Sequence, residues 1–222
     1  CLQGCVPNMY KGQPIRCLTN PMTGHESEPL KMAETPKKVM VIGGGVGGLC
    51  AGFVAKWRGH DVTVYEKTDK LGGNMRLAAY PPGKGDLTNM VRSYIAKCEK
   101  AGVKIVLNTE VNEELIKSEK PDVVIVATGA KTLKPNIPGI DNPELLNGSD
   151  VLEGVKAPGK KVLVVGGGMV GSETAAFLGE QQHDVTVIEF RDEIGADVIH
   201  EHKIFLMKDF KEYSIKGYTG AK

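Results

Sequence analysis

The sequence predicts an α/β protein built of two parallel-sheet units in tandem, behind an irregular N-terminal segment. Three observations predict it. Residues 37–66 and 160–189 align without a gap, at an offset of 123. In both copies a short β-branched run feeds directly into a glycine-rich turn. The 222 residues are 41% hydrophobic and 25% charged, an ordinary globular composition that excludes collagen and a disordered tail.

The first 36 residues read as an irregular connector. Three of the five cysteines fall there, Cys1, Cys5 and Cys17, spaced C-x3-C-x11-C. An odd cysteine count with no secretory segment argues against a disulfide framework, and the chain is read as cytoplasmic. Two readings remain: soft-metal ligation by thiolates, with iron–sulfur the leading option, or three unremarkable thiols. Cys50 and Cys98 read as small core residues.

From residue 37 the first copy runs KKVMVIGGGVGGL and ends HDVTVYE; from residue 160 the second runs KKVLVVGGGMVGS and ends HDVTVIE. Val39 to Ile42 and Val162 to Val165 are apolar runs suited to buried parallel strands. Each meets G-x-G-x-x-G, at Gly43, Gly45 and Gly48 and at Gly166, Gly168 and Gly171. A helix-length segment follows, then a second strand, Val62 to Tyr65 or Val185 to Ile188. Each strand ends in an acid, Glu66 or Glu189, 18 residues past the last motif glycine.

Between the copies, Leu71 to Asn74 reads as a loop and Pro81-Pro82-Gly83 as a breaker. Leu87, Met90, Val91, Tyr94, Ile95 and Cys98 recur at helical spacing, with Asp86 as N-cap and Gly102 just past the end. Val103 to Leu107 predicts a strand, Asn112 to Ser118 a short helix, and Val123 to Val126 a buried strand running into Ala127-Thr128-Gly129. Pro135 to Gly139 and Pro158-Gly159 punctuate a linker. Val198 to Tyr213 predicts a helix; His200 and His202, two apart, do not share a helix face and so make a poor metal pair. The expected domains are 1–36, 37–150 and 151–222.

The repeated unit has a specific chemistry. The first glycine permits a tight turn, the second lets backbone approach a pyrophosphate, and the third lets helix and strand pack closely. The helix N-terminus presents free N–H groups to the phosphates, and the acid accepts hydrogen bonds from a ribose diol. One such motif is weak; strand, motif, helix, strand and acid in register, twice, point to two Rossmann-like dinucleotide sites. The charge balance, 28 Lys and Arg against 27 Asp and Glu, gives no electrostatic case for nucleic acid or an anionic membrane. No stretch approaches the ~20 uninterrupted apolar residues of a spanning helix.

These residues resemble the flavin-dependent pyridine-nucleotide oxidoreductases, in which a first unit binds FAD and an inserted second binds NAD(P)H. The stretch VVIVATG is similar to that family's strand leading into the flavin site. CLQGCVPNMYKGQPIRCLTNP resembles the iron–sulfur connector of the 2,4-dienoyl-CoA reductase, trimethylamine dehydrogenase and enoate reductase group, whose pattern is C-x2-C-x3-C-x11-C. LGGNMRLAAYPPGKGDL resembles a loop of the same group.

The resemblance implies Cys1, Cys5 and Cys17 as three ligands of a [4Fe–4S] cluster, the fourth lying outside this chain. It implies Gly43, Gly45, Gly48 and Glu66 for FAD, with Gly73, Asn74, Arg76 and Ala127 to Gly129 (Ala127, Thr128, Gly129) near the flavin; Arg76 is equally readable as a surface cation. Gly166, Gly168, Gly171 and Glu189 would take the nicotinamide cofactor. A carboxylate there repels a 2′-phosphate, favouring NADH over NADPH, a preference that Arg191 could soften.

The resemblance further implies a fragment: a barrel carrying FMN, the end of the flavin domain and the later strands of the second unit are expected outside it. In such a parent, hydride passes from NADH to FAD, and electrons pass through the cluster to FMN, which reduces an enoyl- or enoate-type substrate. No catalytic acid is assigned here. Two alternatives stand beside this one: an electron-transfer flavoprotein of the glutamate synthase small-subunit type, and a catalytically inert nucleotide-binding module. Exposed sheet edges would favour self-association.

Overall fold

A computed structural model describes residues 1–221. Fifteen elements follow one another: α1 (Val6–Tyr10), β1 (Lys38–Ile42), α2 (Val46–Trp57), β2 (Asp61–Tyr65), α3 (Asn74–Leu77), α4 (Leu87–Ala101), β3 (Lys104–Val106), α5 (Glu113–Glu119), β4 (Val123–Val126), α6 (Gly148–Leu152), β5 (Lys161–Val165), α7 (Met169–Glu180), β6 (Asp184–Ile188), α8 (His200–Glu212) and β7 (Lys216–Tyr218). They divide into two compact units. One contains Cys1–Ala79 and Asp86–Lys131; the other contains Tyr80–Gly85 and the chain from Thr132.

The first unit carries a four-stranded sheet in the order β3-β2-β1-β4, all parallel. This is the 3-2-1-4 order of a doubly wound Rossmann-like sheet. β1 lies in its middle, and consecutive residues Val39, Met40 and Val41 are all buried. That explains the continuous apolar run: a central parallel strand is covered on both faces. α2 packs Leu49 and Phe53 onto β1 and β2, in a core with Val62, Val64, Tyr94 and Cys98. Gly52 lets the helix close on the sheet, because a Cβ there would stand 2.9 Å from Val64 Cγ2.

α4 follows its predicted periodicity, burying Met90, Val91, Tyr94 and Cys98. It ends at Gly102 in the left-handed conformation (φ 73°), where the Val103 amide bonds back to the Cys98 carbonyl at 2.9 Å. Asp86 holds the N-cap position, but its side chain makes no capping bond; its main chain is helical (φ −62°, ψ −19°), which aims the carboxylate away from the first-turn amides.

The second unit repeats the pattern with three parallel strands, β5-β6-β7. Its third strand, β7, takes the place of β3, so one of the later strands expected outside the chain is present. α7 is buried along nearly its whole surface, through Ser172, Glu173, Thr174, Ala175, Ala176, Leu178 and Gly179. The core adds Val185, Val187, Val198, Leu206 and Phe210.

Three short helices lie outside the expected elements: α1, α6 and α3, the last starting at Asn74, where the stretch read as a loop ends. Among the described residues, no helix is long and apolar enough to cross a membrane.

Candidate functional site

Each glycine turn leaves the first strand of its sheet, β1 or β5, and opens a helix, and the structure gives the two copies the same hydrogen bonds. The Gly43 amide bonds the Tyr65 carbonyl and the Gly166 amide bonds the Ile188 carbonyl, each at 2.8 Å. Gly43 (φ 110°) and Gly166 (φ 97°) occupy the left-handed half of conformational space, which glycine alone enters freely. A Cβ on Gly48 would lie 1.9 Å from the Gly43 carbonyl oxygen, and one on Gly171 would lie 1.8 Å from that of Gly166. The third glycine of each motif therefore packs against the first.

The second glycine of the first motif faces open space. The nearest atom to a Cβ on Gly45 would be Gly73 Cα at 4.0 Å, and a Cβ on Gly47 would meet nothing within 4 Å. These positions open α2, whose first amides lack intrahelical partners. Backbone with room before it at a helix N-terminus fits a pyrophosphate. The segment expected near a flavin borders the same turn. A Cβ on Gly43 would strike the Ala127 carbonyl oxygen at 2.3 Å and approach Thr128 Cα at 3.3 Å, and Gly129 follows at φ 73°. Gly72 donates to the Gly44 carbonyl at 2.8 Å, and Gly73 (φ 53°) leads into α3, which carries Asn74 and Arg76.

The acids clasp the middle glycines. Glu66 Oε2 accepts the Gly44 amide at 2.8 Å, while Oε1 accepts the amide and hydroxyl of Thr68, both at 2.9 Å. Glu189 Oε2 accepts the Gly167 amide at 2.6 Å, and Oε1 accepts the Arg191 amide at 2.8 Å. Both residues are buried. Burial alone would push the Glu66 carboxyl up, but the bonds from Thr68 and Gly44 outweigh it and hold it below the usual range. Each carboxylate oxygen has two lone pairs, so capacity for a ribose diol remains. Sequence reasoning missed the partners Gly44, Gly167 and Thr68. For the two glycines the signal was the middle residue of the run of three, which recurs at the same place in both copies.

In the second unit the turn has a further occupant. Asp197 Oδ1 accepts the Met169 amide, the first of α7, at 2.7 Å. Glu173 on α7 pairs with Lys84, both side chains being largely buried. Neither Asp197 nor this ion pair was singled out from the sequence, since each partner lies far along the chain.

Of the three N-terminal cysteines, Cys1 is exposed and Cys5 and Cys17 are partly buried, and all five cysteines of the chain are free. The segments bearing Cys5 and Cys17 adjoin: a Cβ on Gly4 would stand 2.8 Å from the Arg16 carbonyl oxygen. The Thr19 hydroxyl, 3.0 Å from Cys17 Sγ, and the Thr19 amide hold the Cys17 thiol below its usual range. Among the described residues, no three His, Cys, Asp or Glu side chains converge on a point that could hold a single metal ion. Desolvation raises the Cys50 and Cys98 thiols by contrast, Cys98 to about 11, which disfavours their thiolates.

Residues 37–222 match the family described as pyridine nucleotide-disulphide oxidoreductase. The cinnamate reductase of Clostridium sporogenes is 40% identical over 211 residues, which cover 93% of this chain and 31% of that protein. The bilirubin reductase of Mediterraneibacter gnavus is 34% identical over 223 residues, covering 100% of this chain and 35% of that protein. A solved 2-naphthoyl-CoA reductase in complex with 2-naphthoyl-CoA has a TM-score of 0.94 at 36% identity, covering 100% of this chain and 34% of that one. The chain thus spans about a third of the length of these relatives.

Proposed function

The chain belongs to the pyridine nucleotide-disulphide oxidoreductase family, and from that premise we propose that it is the electron-entry part of a flavin- and iron–sulfur-dependent reductase. Residues 37–150 form the FAD-binding domain and residues 151–222 the NADH-binding one, with residues 1–36 as the connector. The observation that carries this reading is the pair of matching turns, each with its carboxylate bonded to the middle glycine.

Gly43, Gly45 and Gly48 hold the FAD pyrophosphate on the N-terminus of α2, and Glu66 takes the adenosine ribose. Gly73, Asn74, Arg76 and Ala127 to Gly129 flank the flavin. Gly166, Gly168 and Gly171 take the pyrophosphate of the pyridine nucleotide, and Glu189 takes its ribose. The Gly167 and Arg191 amides fix the Glu189 carboxylate where it repels a 2′-phosphate, so the site prefers NADH to NADPH. Cys1, Cys5 and Cys17 supply three thiolates to a [4Fe–4S] cluster, supported by their spacing and by the close approach of Gly4 to Arg16.

When bound, these groups supply hydride transfer from NADH to FAD and single-electron exit through the cluster to an FMN outside this chain. The protein positions the cofactors and shields them. It offers no dithiol beside the flavin segment for a disulfide route, because Gly72 to Arg76 carries no cysteine, and Cys98 is buried and Cys50 half-buried, both with raised thiol pKa. The relatives are named for the reduction of cinnamate, bilirubin and 2-naphthoyl-CoA. Those names support an enoyl- or enoate-type substrate, in a cytoplasmic setting where cluster thiols stay reduced.

The test is an absorbance spectrum of the anaerobically purified chain, with iron and acid-labile sulfide assays, before and after NADH. Flavin bands that bleach with NADH, over a broad cluster absorbance, are expected. A colourless protein that takes up neither added FAD nor iron would overturn the assignment and leave a nucleotide-binding module without turnover.

A further inference from the structure

The repeat continues past its two carboxylates. At the same offset of 123, Leu71-Gly72-Gly73-Asn74 corresponds to Ile194-Gly195-Ala196-Asp197. The structure follows the correspondence. Gly72 donates to the Gly44 carbonyl at 2.8 Å, and Gly195 donates to the Gly167 carbonyl at 2.7 Å. Leu71 packs over Gly44, and Ile194 packs over Gly167. The next position is Asn74 in the first unit and Asp197 in the second, a neutral residue exchanged for an anion at equivalent places.

The exchange matters because of where Asp197 reaches. Its Oδ1 accepts the Met169 amide at 2.7 Å. Both of its carboxylate oxygens lie 3.3 Å from where a Cβ on Gly168 would stand. A negative charge thus sits on the end of α7 that attracts anions, against the second glycine of the motif. At Gly45, the counterpart of Gly168, the nearest atom is an uncharged Gly73 Cα at 4.0 Å.

We propose that Asp197 is an internal competitor for the pyrophosphate of the second dinucleotide, and so sets the affinity of that site. It caps α7 until the nucleotide arrives. It then releases the Met169 amide and turns aside, and its charge opposes the incoming phosphates. The first unit lacks such a competitor and retains its cofactor. The second gives its cofactor up readily, as a site for an exchanging co-substrate must. This inference rests on the reading that the second unit binds NADH.

The variant Asp197→Asn restores the residue found at the equivalent place in the first unit, with nearly unchanged shape. Titration of the chain with NADH by calorimetry, with adenosine as a probe lacking phosphate, separates charge from architecture. NADH should bind the variant about 2- to 5-fold more tightly, the size of effect that a charge at a helix end commands. Adenosine binding should not change, because a merely structural role would move both. Asp197→Ala, which removes the charge and the cap together, should also tighten NADH and covers the case in which the Asn variant folds poorly. Unchanged or weaker NADH binding in both variants would overturn the inference and leave Asp197 as a cap. Failure of the unaltered chain to bind NADH would instead overturn the reading of the second unit, and this inference with it.

Discussion

Gly47 and Gly48 are adjacent in one turn of α2, yet a methyl group has opposite consequences at each. At Gly48 it would stand 1.9 Å from the Gly43 carbonyl oxygen, which the strand above holds in place. Gly48→Ala should cost about 3 kcal/mol or more, because the obstacle is backbone that cannot move aside. At Gly47 it would meet nothing within 4 Å, and Ala is the better helix former by about 0.5–1 kcal/mol. Urea denaturation of the two variants should give midpoints on opposite sides of the parent; two equal losses would contradict this account of the turn. Glu66 supplies a second expectation. Its folded pKa lies below the unfolded value of about 4.3 despite burial, owing to the bonds from Thr68 and Gly44. Its stabilising contribution is therefore complete above that unfolded value and is lost as pH falls through the lower folded one. Stability of the unaltered chain should drop on acidification more steeply than that of Glu66→Gln, and parallel curves would remove Glu66 as the cause. The motif glycines and both acids were legible in the sequence because local geometry fixes their role. Thr68 is two residues from its acid, but Asp197 and the Lys84–Glu173 pair act across 28 and 89 residues, and no local pattern points to such partners.

At the scale of elements, the helices show which caps function. Asn112 was read as the first residue of a helix; the structure makes it the N-cap of α5, and its side chain accepts the Leu115 amide at 2.9 Å. Asn112→Ala should cost about 1 kcal/mol. Asp86→Ala should cost far less, since Asp86 caps nothing with its side chain. Thermal melts of the pair test the contrast, and equal shifts would contradict it. α4 also tethers the connector: the Tyr94 hydroxyl donates to the Leu18 carbonyl, and Lys97 Nζ donates to the Thr19 carbonyl at 3.2 Å. Burial, with the nearby Cys50 and Cys17 thiols, raises the Tyr94 phenol to about 12, so it stays a donor at any working pH. Tyr94→Phe should loosen that segment and speed trypsin cleavage at Arg16, with little change to the core. An unchanged cleavage rate would show that Lys97 and packing suffice. β1, β2, β6 and α4 were legible because periodicity and burial agree in them. β4 and β5 were expected to be buried, but both are edge strands in which half-buried and exposed residues alternate. β7 was not legible, since Lys216, Gly217 and Tyr218 are all exposed and only pairing with β6 makes them a strand. α1, α3 and α6 are single turns, too short for periodicity to register.

Taken whole, the chain is one supersecondary unit used twice, and the copies differ most at their outer strands. β1 is buried on both faces, flanked by β2 and β4. β5, its counterpart, is an edge strand with β6 on one side. Alternate residues of β5, on one face of its sheet, are open as well, with Leu163 59% and Val165 58% exposed, and on the edge strand β4 Val126 is 70% exposed. An edge strand that pairs apolar side chains with free N–H and C=O groups is a template for another strand. Only Lys161, at the first position of β5, carries a charge; Val162 to Val165 contains no proline and no charge. The chain should therefore self-associate in a concentration-dependent way. Val165→Lys places a charge at the end of the exposed apolar row, beside Leu163, and it should lower the mass measured by light scattering while leaving the melting temperature within a few degrees. Val126→Lys tests β4 in the same manner. If only the β5 variant dissociates the assembly, the second sheet supplies the contact, and if only the β4 variant does, the first sheet supplies it. A monodisperse monomer at every concentration of the unaltered chain would refute edge pairing. It would mean that β5 is protected by its twist and by the lysines at its start, Lys160 just before it and Lys161 as its first residue, rather than by a neighbouring strand.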